Sequence, residues 1–545
     1  MAGGTSRHGN GLLAGCFLSW LLVALSACAF ASAPDPTGVA GPDRRAVDAA
    51  FDEAFERYGL PGLAVGIVVD GEVVYTRTRG ELEAGGGRAV DAGTLFKVAS
   101  NTKSMTTALL ARLVDQGRLQ WDDPVVKYLP DFRMYDDWVT REMQVRDLLI
   151  HNSGLGAGAG DLMFWPEPNL FTRQDVIAGL RYLKPVYSFR SRYAYDNTLY
   201  VVAGEVAAAA GGAPYDVLLR REVFAPLGMD RCQVGEWRRD EVGNVAQAHM
   251  RSGGRNVVIR ADEEVIPDVP MMAAGGVRCS LNDMLKWVRA WLQPDGDILA
   301  EDGSRWLSRR QREELWKTHM PMPVTRQMRE WDRSHFHAYG YGWRLTDVDG
   351  TWKVSHTGTL AGMYSAVVLL PEKNAGIVFL SNGEAGEART VLPQVLVKQF
   401  TDPGNARRHT VAHYAEWLAR ERVASAGPAP AARAEPASRA PASPGELGDD
   451  LGRWRDPWFG EVLVCPEDGG VRFRSLKSPK LDGDVMRADG RLLVDWRDED
   501  VDVEAWLDFS GPAGARRLRM AKTDPDADFS YDYEDLDFTK VGECP

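Results

Sequence analysis

Strand signals stand at both ends of a long helical stretch, and this limits the fold more than any other feature of the chain. Leu63–Val69 and Val73–Thr76 are apolar and β-branched, and Asp70-Gly71 between them suits a two-residue hairpin turn. Strand signals return at Gly342–Thr346, Trp352–Ser355, Ser365–Leu370 and Gly376–Leu380, with Asp349-Gly350 turning between the first two. In between, apolar residues at helical spacing run from Met105 through Leu109, Leu110, Leu113 and Val114 to a C-cap at Gly117. The same spacing recurs over Val176–Leu183, Leu199–Ala210 and Leu281–Leu292, the last opened by Ser280 and Asp283 as a capping box. Strands at both ends thus flank a helical middle. The pattern predicts an α/β (α+β) fold: one antiparallel sheet of distant segments with helices packed on it.

Composition then changes. Residues 424–447 are rich in Ala and Pro with scattered Arg and Glu, which suits a semi-extended linker. From Leu451 to Pro545, short aromatic and β-branched runs alternate with Asp-Gly, Gly-Gly and Pro-containing turns, the pattern of a small β-rich domain. A chain of 545 residues, 44% hydrophobic and with 17 Trp, has material for more than one core. The expected organisation is a secretory or lipoprotein signal at 1–33, a first globular domain at 44–400, a helix and linker at 401–447, and a second domain at 448–545.

After Arg7 and His8, the apolar run Leu12–Ala27 is short for a membrane span and is placed like the core of a secretory signal. Leu25-Ser26-Ala27-Cys28 resembles a bacterial lipoprotein signal, in which Cys28 carries the lipid. Ala29-Phe30-Ala31 and Ala31-Ser32-Ala33 offer ordinary cleavage sites as the alternative. The expectation is export to the periplasm with a lipid anchor in the membrane. A net charge of -13 argues against a nucleic-acid partner, because phosphate binding draws on clustered Lys and Arg. A small neutral or cationic substrate, a small molecule or short peptide, fits better, with the cell wall as a candidate partner. Cys232 and Cys279 fall in the first domain and Cys465 and Cys544 in the second, so each domain has material for one disulfide in an oxidising compartment. Buried free thiols are the alternative. No spacing suggests a metal site. Asp524-Pro525-Asp526-Ala527-Asp528 opens like a calcium loop, but Phe529 stands where that loop needs Gly, so solvated acid is expected. No cofactor is implied.

Three short motifs carry chemistry. Ser100-Asn101-Thr102-Lys103 puts a hydroxyl at a helix start and an amine three residues later on the same face, so nucleophile and base can touch. The helix start would also favour a developing oxyanion. Such a tetrad arises about once by chance in a chain this long, and alone it reads as an N-cap. Tyr195-Asp196-Asn197 precedes an Ala-rich helix, and His356-Thr357-Gly358 follows on the strand after Trp352. Singly, Tyr195 reads as a core tyrosine, Asn197 as a cap and His356 as a strand histidine. Their order is what gives them meaning.

In that order, Ser-x-x-Lys, Tyr-x-Asn and His-Thr-Gly resemble the β-lactamase-related serine hydrolases: class C β-lactamases, serine D,D-peptidases, D-aminopeptidases and β-lactamase-like esterases. His151-Asn152-Ser153-Gly154-Leu155, Ala274-Gly275-Gly276-Val277, Tyr339-Gly340-Tyr341-Gly342-Trp343 and Gly358-Thr359-Leu360-Ala361-Gly362 extend the resemblance over roughly residues 44–400. The segments Arg455-Asp456-Pro457-Trp458-Phe459-Gly460 and Tyr533-Glu534-Asp535-Leu536-Asp537-Phe538 resemble a β-rich domain found after such hydrolases. The resemblance implies the β-lactamase and transpeptidase-like architecture, an antiparallel sheet with a helical subdomain. It implies that Ser100 forms an acyl-enzyme while Lys103 and Tyr195 share the proton transfers, with either as the base. Asn197 would hold a substrate amide, backbone N–H groups of Ser100 and Thr359 would form the oxyanion hole, and His356, Thr357 and Gly358 would line the substrate site. His356 would donate to a substrate carboxylate or to Tyr195. Its departure from the Lys of true β-lactamases points away from antibiotics and towards peptides with D-residues, D,D-carboxypeptidase or D-aminopeptidase-like, with esters, or slow deacylation as a penicillin-binding or wall-sensing module, as alternatives.

Overall fold

The computed structural model describes residues 41–425 and 439–545. Cys28, the signal segment and residues 426–438 of the Ala/Pro-rich stretch lie outside the described residues.

Eight strands form the first sheet: β1 (Gly62–Val69), β2 (Glu72–Gly80), β3 (Met320–Pro321), β4 (His337–Tyr339), β5 (Arg344–Val348), β6 (Thr351–Leu360), β7 (Met363–Leu370) and β8 (Ala375–Ser381). Their order is β3-β4-β5-β6-β7-β8-β1-β2, antiparallel throughout. The front hairpin thus joins the late strands through β1 against β8, with Val65 opposite Phe379 and Ile67 opposite Ile377. Every residue of β1 and β8 is buried, as their unbroken apolar runs require of strands covered on both faces. Helices α1 (Arg44–Tyr58) and α5 (Gly386–Thr401) pack together and cover one face. Helix α4 (Leu281–Trp291) covers the other, its Leu285 and Val288 lying where a Cβ on Gly66 or Gly376 would sit.

The middle of the chain is helical. Helix α2 (Thr102–Asp115) is buried on nearly every side and packs against α3 (Thr198–Gly211). Leu109 and Leu110 are fully buried there. Truncating either to Ala would cost about 2–5 kcal/mol and loosen the helix that starts beside Ser100. Beside it, Trp287, Trp291, Trp306, Trp316 and Trp343 form one aromatic cluster that holds the start of β5 against α4.

The second sheet is a closed barrel of eight antiparallel strands: β9 (Gly452–Asp456), β10 (Gly460–Glu467), β11 (Gly470–Ser475), β12 (Asp482–Ala488), β13 (Arg491–Trp496), β14 (Ala505–Ser510), β15 (Arg517–Lys522) and β16 (Asp537–Gly542). Closure comes from β12 pairing with both β11 and β13, while β16 joins β9 to β15. Trp454, Phe473, Val485, Val494, Leu518 and Phe538 fill its interior. Ordered structure begins before residue 448: Ala440–Pro441 pairs with β12 and Ala442 is buried. Apolar side chains drew that end of the linker into the barrel. Cys232 is bonded to Cys279 and Cys465 to Cys544, with Cα atoms 4.2 and 5.8 Å apart.

The barrel rests on the helical region. Phe459 meets Phe171 at 5.6 Å between ring centres, and Lys477 Nζ is 2.7 Å from Asp175 Oδ1.

Candidate active site

Ser100 lies in a single 3-10 turn, Ala99–Asn101, that runs into α2. Ala99 before it has φ 48°, a left-handed conformation that is costly for a residue with a Cβ and that persists only when its surroundings impose it. Strand β6 is the surrounding that matters. A Cβ on Gly358 would stand 2.2 Å from the Val98 carbonyl oxygen and 3.0 Å from Ala99 Cβ, so only glycine lets the strand run this close to the nucleophile. Ser365 on β7 ties the two together, accepting from Asn101 Nδ2 at 2.8 Å and donating to the Val98 carbonyl at 2.7 Å.

The three motifs meet here. Lys103 Nζ is 3.1 Å from Ser100 Oγ, and the Tyr195 hydroxyl donates to the same oxygen at 2.9 Å. Lys103 is fully buried and also donates to Asn197 Oδ1 at 2.7 Å and to the Ala274 carbonyl at 2.9 Å. A neutral amine has two hydrogens. Spent on those two acceptors, they leave its lone pair for the Ser100 hydroxyl. Burial, assisted by Arg344 and opposed by Asp161 and Asp196, pulls the Lys103 amine down to about 7. Burial pushes the Tyr195 hydroxyl up to about 12, with Arg344 opposing. Of the two groups, only the amine is neutral enough near pH 7 to take a proton, while the phenol stays protonated and donates.

Asn197 is used differently from the expectation that it holds a substrate amide. Its Oδ1 serves Lys103 and its Nδ2 donates to Asp161 Oδ2 at 2.9 Å, so it bridges an amine and a carboxyl. Burial raises the Asp161 carboxyl to about 7, against the hydrogen bonds from Ser530 and Asn197 and the charge of Lys103.

His356 is the clearest correction. It is fully buried, its Nδ1 donates to the Thr357 carbonyl at 2.8 Å and its Nε2 accepts from the Tyr339 hydroxyl at 2.8 Å. No ring nitrogen is left for substrate or for Tyr195. Burial, with Arg344 and Lys103, holds its pKa well below the usual histidine value, so it is neutral. A cation at the site is Arg344, one residue after the locked Trp343, donating to Thr357 Oγ1 at 2.8 Å. Thr359 is exposed at the end of β6, and Arg389 on α5 donates to its hydroxyl and, at 2.9 Å, to the Gly358 carbonyl. His151 buttresses Tyr195, its ring 4.3 Å away and its Nδ1 accepting from the Asp196 N–H at 3.0 Å.

Arg344, Asp161 and Arg389 were not among the residues expected from sequence. Arg344 had a signal: counting back from the Asp349-Gly350 turn sets it opposite Ser355, on the side of Thr357. Asp161 had none.

A serine, a depressed lysine and a tyrosine converging on one oxygen, on this sheet, define a serine hydrolase of the β-lactamase-related type. The Beta-lactamase family model matches residues 47–399, and the chain belongs to that family. It is 25% identical over 384 residues to "Unguisins hydrolase ungD" of Aspergillus violaceofuscus, covering 64% of this chain and 63% of that protein. It is 27% identical over 255 residues to "D-alanyl-D-alanine-carboxypeptidase/endopeptidase AmpH" of Escherichia coli K12, covering 46% of this chain and 62% of that one. The chain thus spans about three fifths of the length of each relative. Among solved structures, the octameric penicillin-binding protein homologue from Pyrococcus abyssi superposes with a TM-score of 0.56 at 18% identity, over 91% of this chain and 100% of that one, which shows a shared fold.

Proposed function

We propose that this hydrolase is exported and cleaves short peptides with D-residues and a free carboxylate through an acyl-enzyme on Ser100. The observation that carries the reading is the pair of contacts on Ser100 Oγ, Lys103 Nζ at 3.1 Å and Tyr195 Oη at 2.9 Å. Lys103 takes the Ser100 proton as the oxygen attacks the carbonyl. The backbone N–H groups of Ser100 and Thr359 hold the oxyanion. When the carbon–nitrogen bond breaks, Tyr195 gives its proton to the leaving amine and recovers one from Lys103. Water then attacks the ester with the same groups in reverse. Arg344, with the Thr357 hydroxyl, supports a carboxylate-bearing substrate, since a guanidinium pairs with carboxylate in two hydrogen bonds. The AmpH relative's named activity agrees with that class.

The test is turnover by the purified protein of acyl-D-Ala-D-Ala peptides, a chromogenic cephalosporin and short nitrophenyl esters. Release of D-Ala at a higher kcat/KM than cephalosporin opening is expected. Ester cleavage without any peptide cleavage would replace the peptidase with a carboxylesterase. Export with a lipid on Cys28 is tested by Cys28→Ser, which should move the protein from the membrane to the soluble fraction; an unchanged membrane fraction would remove the lipid anchor.

A further inference from the structure

The pocket has a wall that does not come from the hydrolase part of the chain. Between β15 and β16 the barrel sends out the loop Asp524–Asp532, which opens with the acidic run Asp524–Asp528. It ends on Ser100's own network. Ser530 Oγ donates to Asp161 Oδ2 at 2.8 Å, the oxygen that also accepts from Asn197. Asp532 locks the loop in place, accepting from the Gly160 N–H at 2.6 Å and the Leu162 N–H at 2.9 Å, and Tyr531 packs edge-on against Trp165 at 4.4 Å. Phe529 lies 5.7 Å from the Tyr195 ring and remains 38% exposed, unusual for a phenylalanine that a structural brace would bury. The approach is tight enough to dictate sequence. A Cβ on Gly158 would stand 2.5 Å from the Phe529 carbonyl oxygen and 2.7 Å from its ring.

We propose that this loop is a working part of the hydrolase site: Ser530 positions Asp161 at the head of the Asn197–Lys103 chain, and Phe529 selects substrates with an apolar group beside the scissile bond. The proposal rests on Ser100 as nucleophile. A serine hydroxyl favours the ionised form of Asp161, and that charge in turn favours the charged form of Lys103. The other titratable groups facing Asp161 are Asp196 and Tyr195 beside α3 and Asp532 on the loop itself. Without Ser530 the pair keeps its shared proton on the carboxyl more often, so neutral Lys103 persists to lower pH.

The experiment uses the full chain and compares nitrophenyl acetate with nitrophenyl hexanoate from about pH 5 to about pH 9. Phe529→Ala is expected to lower the hexanoate-to-acetate ratio of kcat/KM by about tenfold. Ser530→Ala should move the acid limb of kcat/KM to lower pH by about half a unit, as Asp161→Asn does more strongly, and Ser530→Thr should restore it. A loop that merely braces the fold gives a lower melting temperature and an equal rate loss for both esters at every pH, which would overturn the proposal. Ser100→Ala in the same assay separates the two readings. If it is inert while the ratio and the limb stay put, the wall alone fails; if it hydrolyses at the wild-type rate, the nucleophile fails and the wall with it.

Discussion

The two antiparallel sheets of this molecule reach the same pocket by different means. The hydrolase part brings its contribution on or beside regular elements: Ser100 in the turn that enters α2, Lys103 on α2, Tyr195 and Asn197 in the segment that leads into α3, Arg344 and Thr357 on paired strands. They rest against a core in which α2, β1 and β8 are almost wholly buried. The barrel contributes through one loop, and its strands serve as a frame for it. The acylation residues sit on or directly against rigid elements, while the side chain proposed to select substrate sits on a connection.

That division can be broken in stages. Ser100→Ala removes one oxygen from the rigid side and should lower kcat by about ten-thousandfold or more with the melting temperature unchanged; a variant turning over at the wild-type rate would end the assignment. Next in size, Arg344→Ala should lower kcat/KM for a carboxylate peptide by about a hundredfold, measured near pH 9 where Lys103 is neutral in either protein. A neutral ester should lose far less. The contrast is His356→Lys, which buries an ammonium and should cost about 3–5 kcal/mol of stability while both substrate classes fall together. Divergence of the two classes in that variant would return a substrate contact to this position.

How much of this the sequence disclosed follows from distance along the chain. Ser100 and Lys103 were legible because an i, i+3 relation on a helix is a local fact, and the two hairpin turns, Asp70-Gly71 and Asp349-Gly350, announced themselves by residue type. That early and late strands share one sheet was legible from their positions on either side of the helical stretch, whereas the pairing of β1 with β8 had no local signal. His356 misled because a motif names a position and not its environment: the strand turns that ring inward to Tyr339. Ser530 and Asp161 are 369 residues apart, and no spacing rule connects them. Composition gives Asp524–Asp528 as solvated acid, and Asp526 and Asp528 are exposed, but it gives no sign that Asp532, four residues on, is buried against two backbone N–H groups.

Smaller effects sharpen the comparison. The activity of the wild-type protein should fall as pH drops through about 7, because Lys103 acts as a base only when it is neutral and its amine lies near that value. Asp161→Asn removes a charge that favours the ammonium, so the acid limb should move down in pH; loss of nearly all activity at every pH would mean that Asp161 itself takes the proton. Smallest of all, replacing Cys465 and Cys544 by Ser should cost the barrel about 2–4 kcal/mol in denaturant melts. Well below the melting transition, kcat/KM should change by less than about threefold, since neither sulfur approaches the pocket. A larger loss would mean that the loop feels the barrel's rigidity directly.

The position of the loop also sets a clock. Ribosomes deliver Ser100, Lys103 and Tyr195 long before Ser530, and β16, which seals the barrel behind the loop, comes later still. A nascent chain therefore holds nucleophile and base for a time with one side of the pocket missing. Asp161 lacks its serine partner throughout that interval. On the proposal that Phe529 selects substrate, that selectivity is complete only once the barrel that carries the loop has folded.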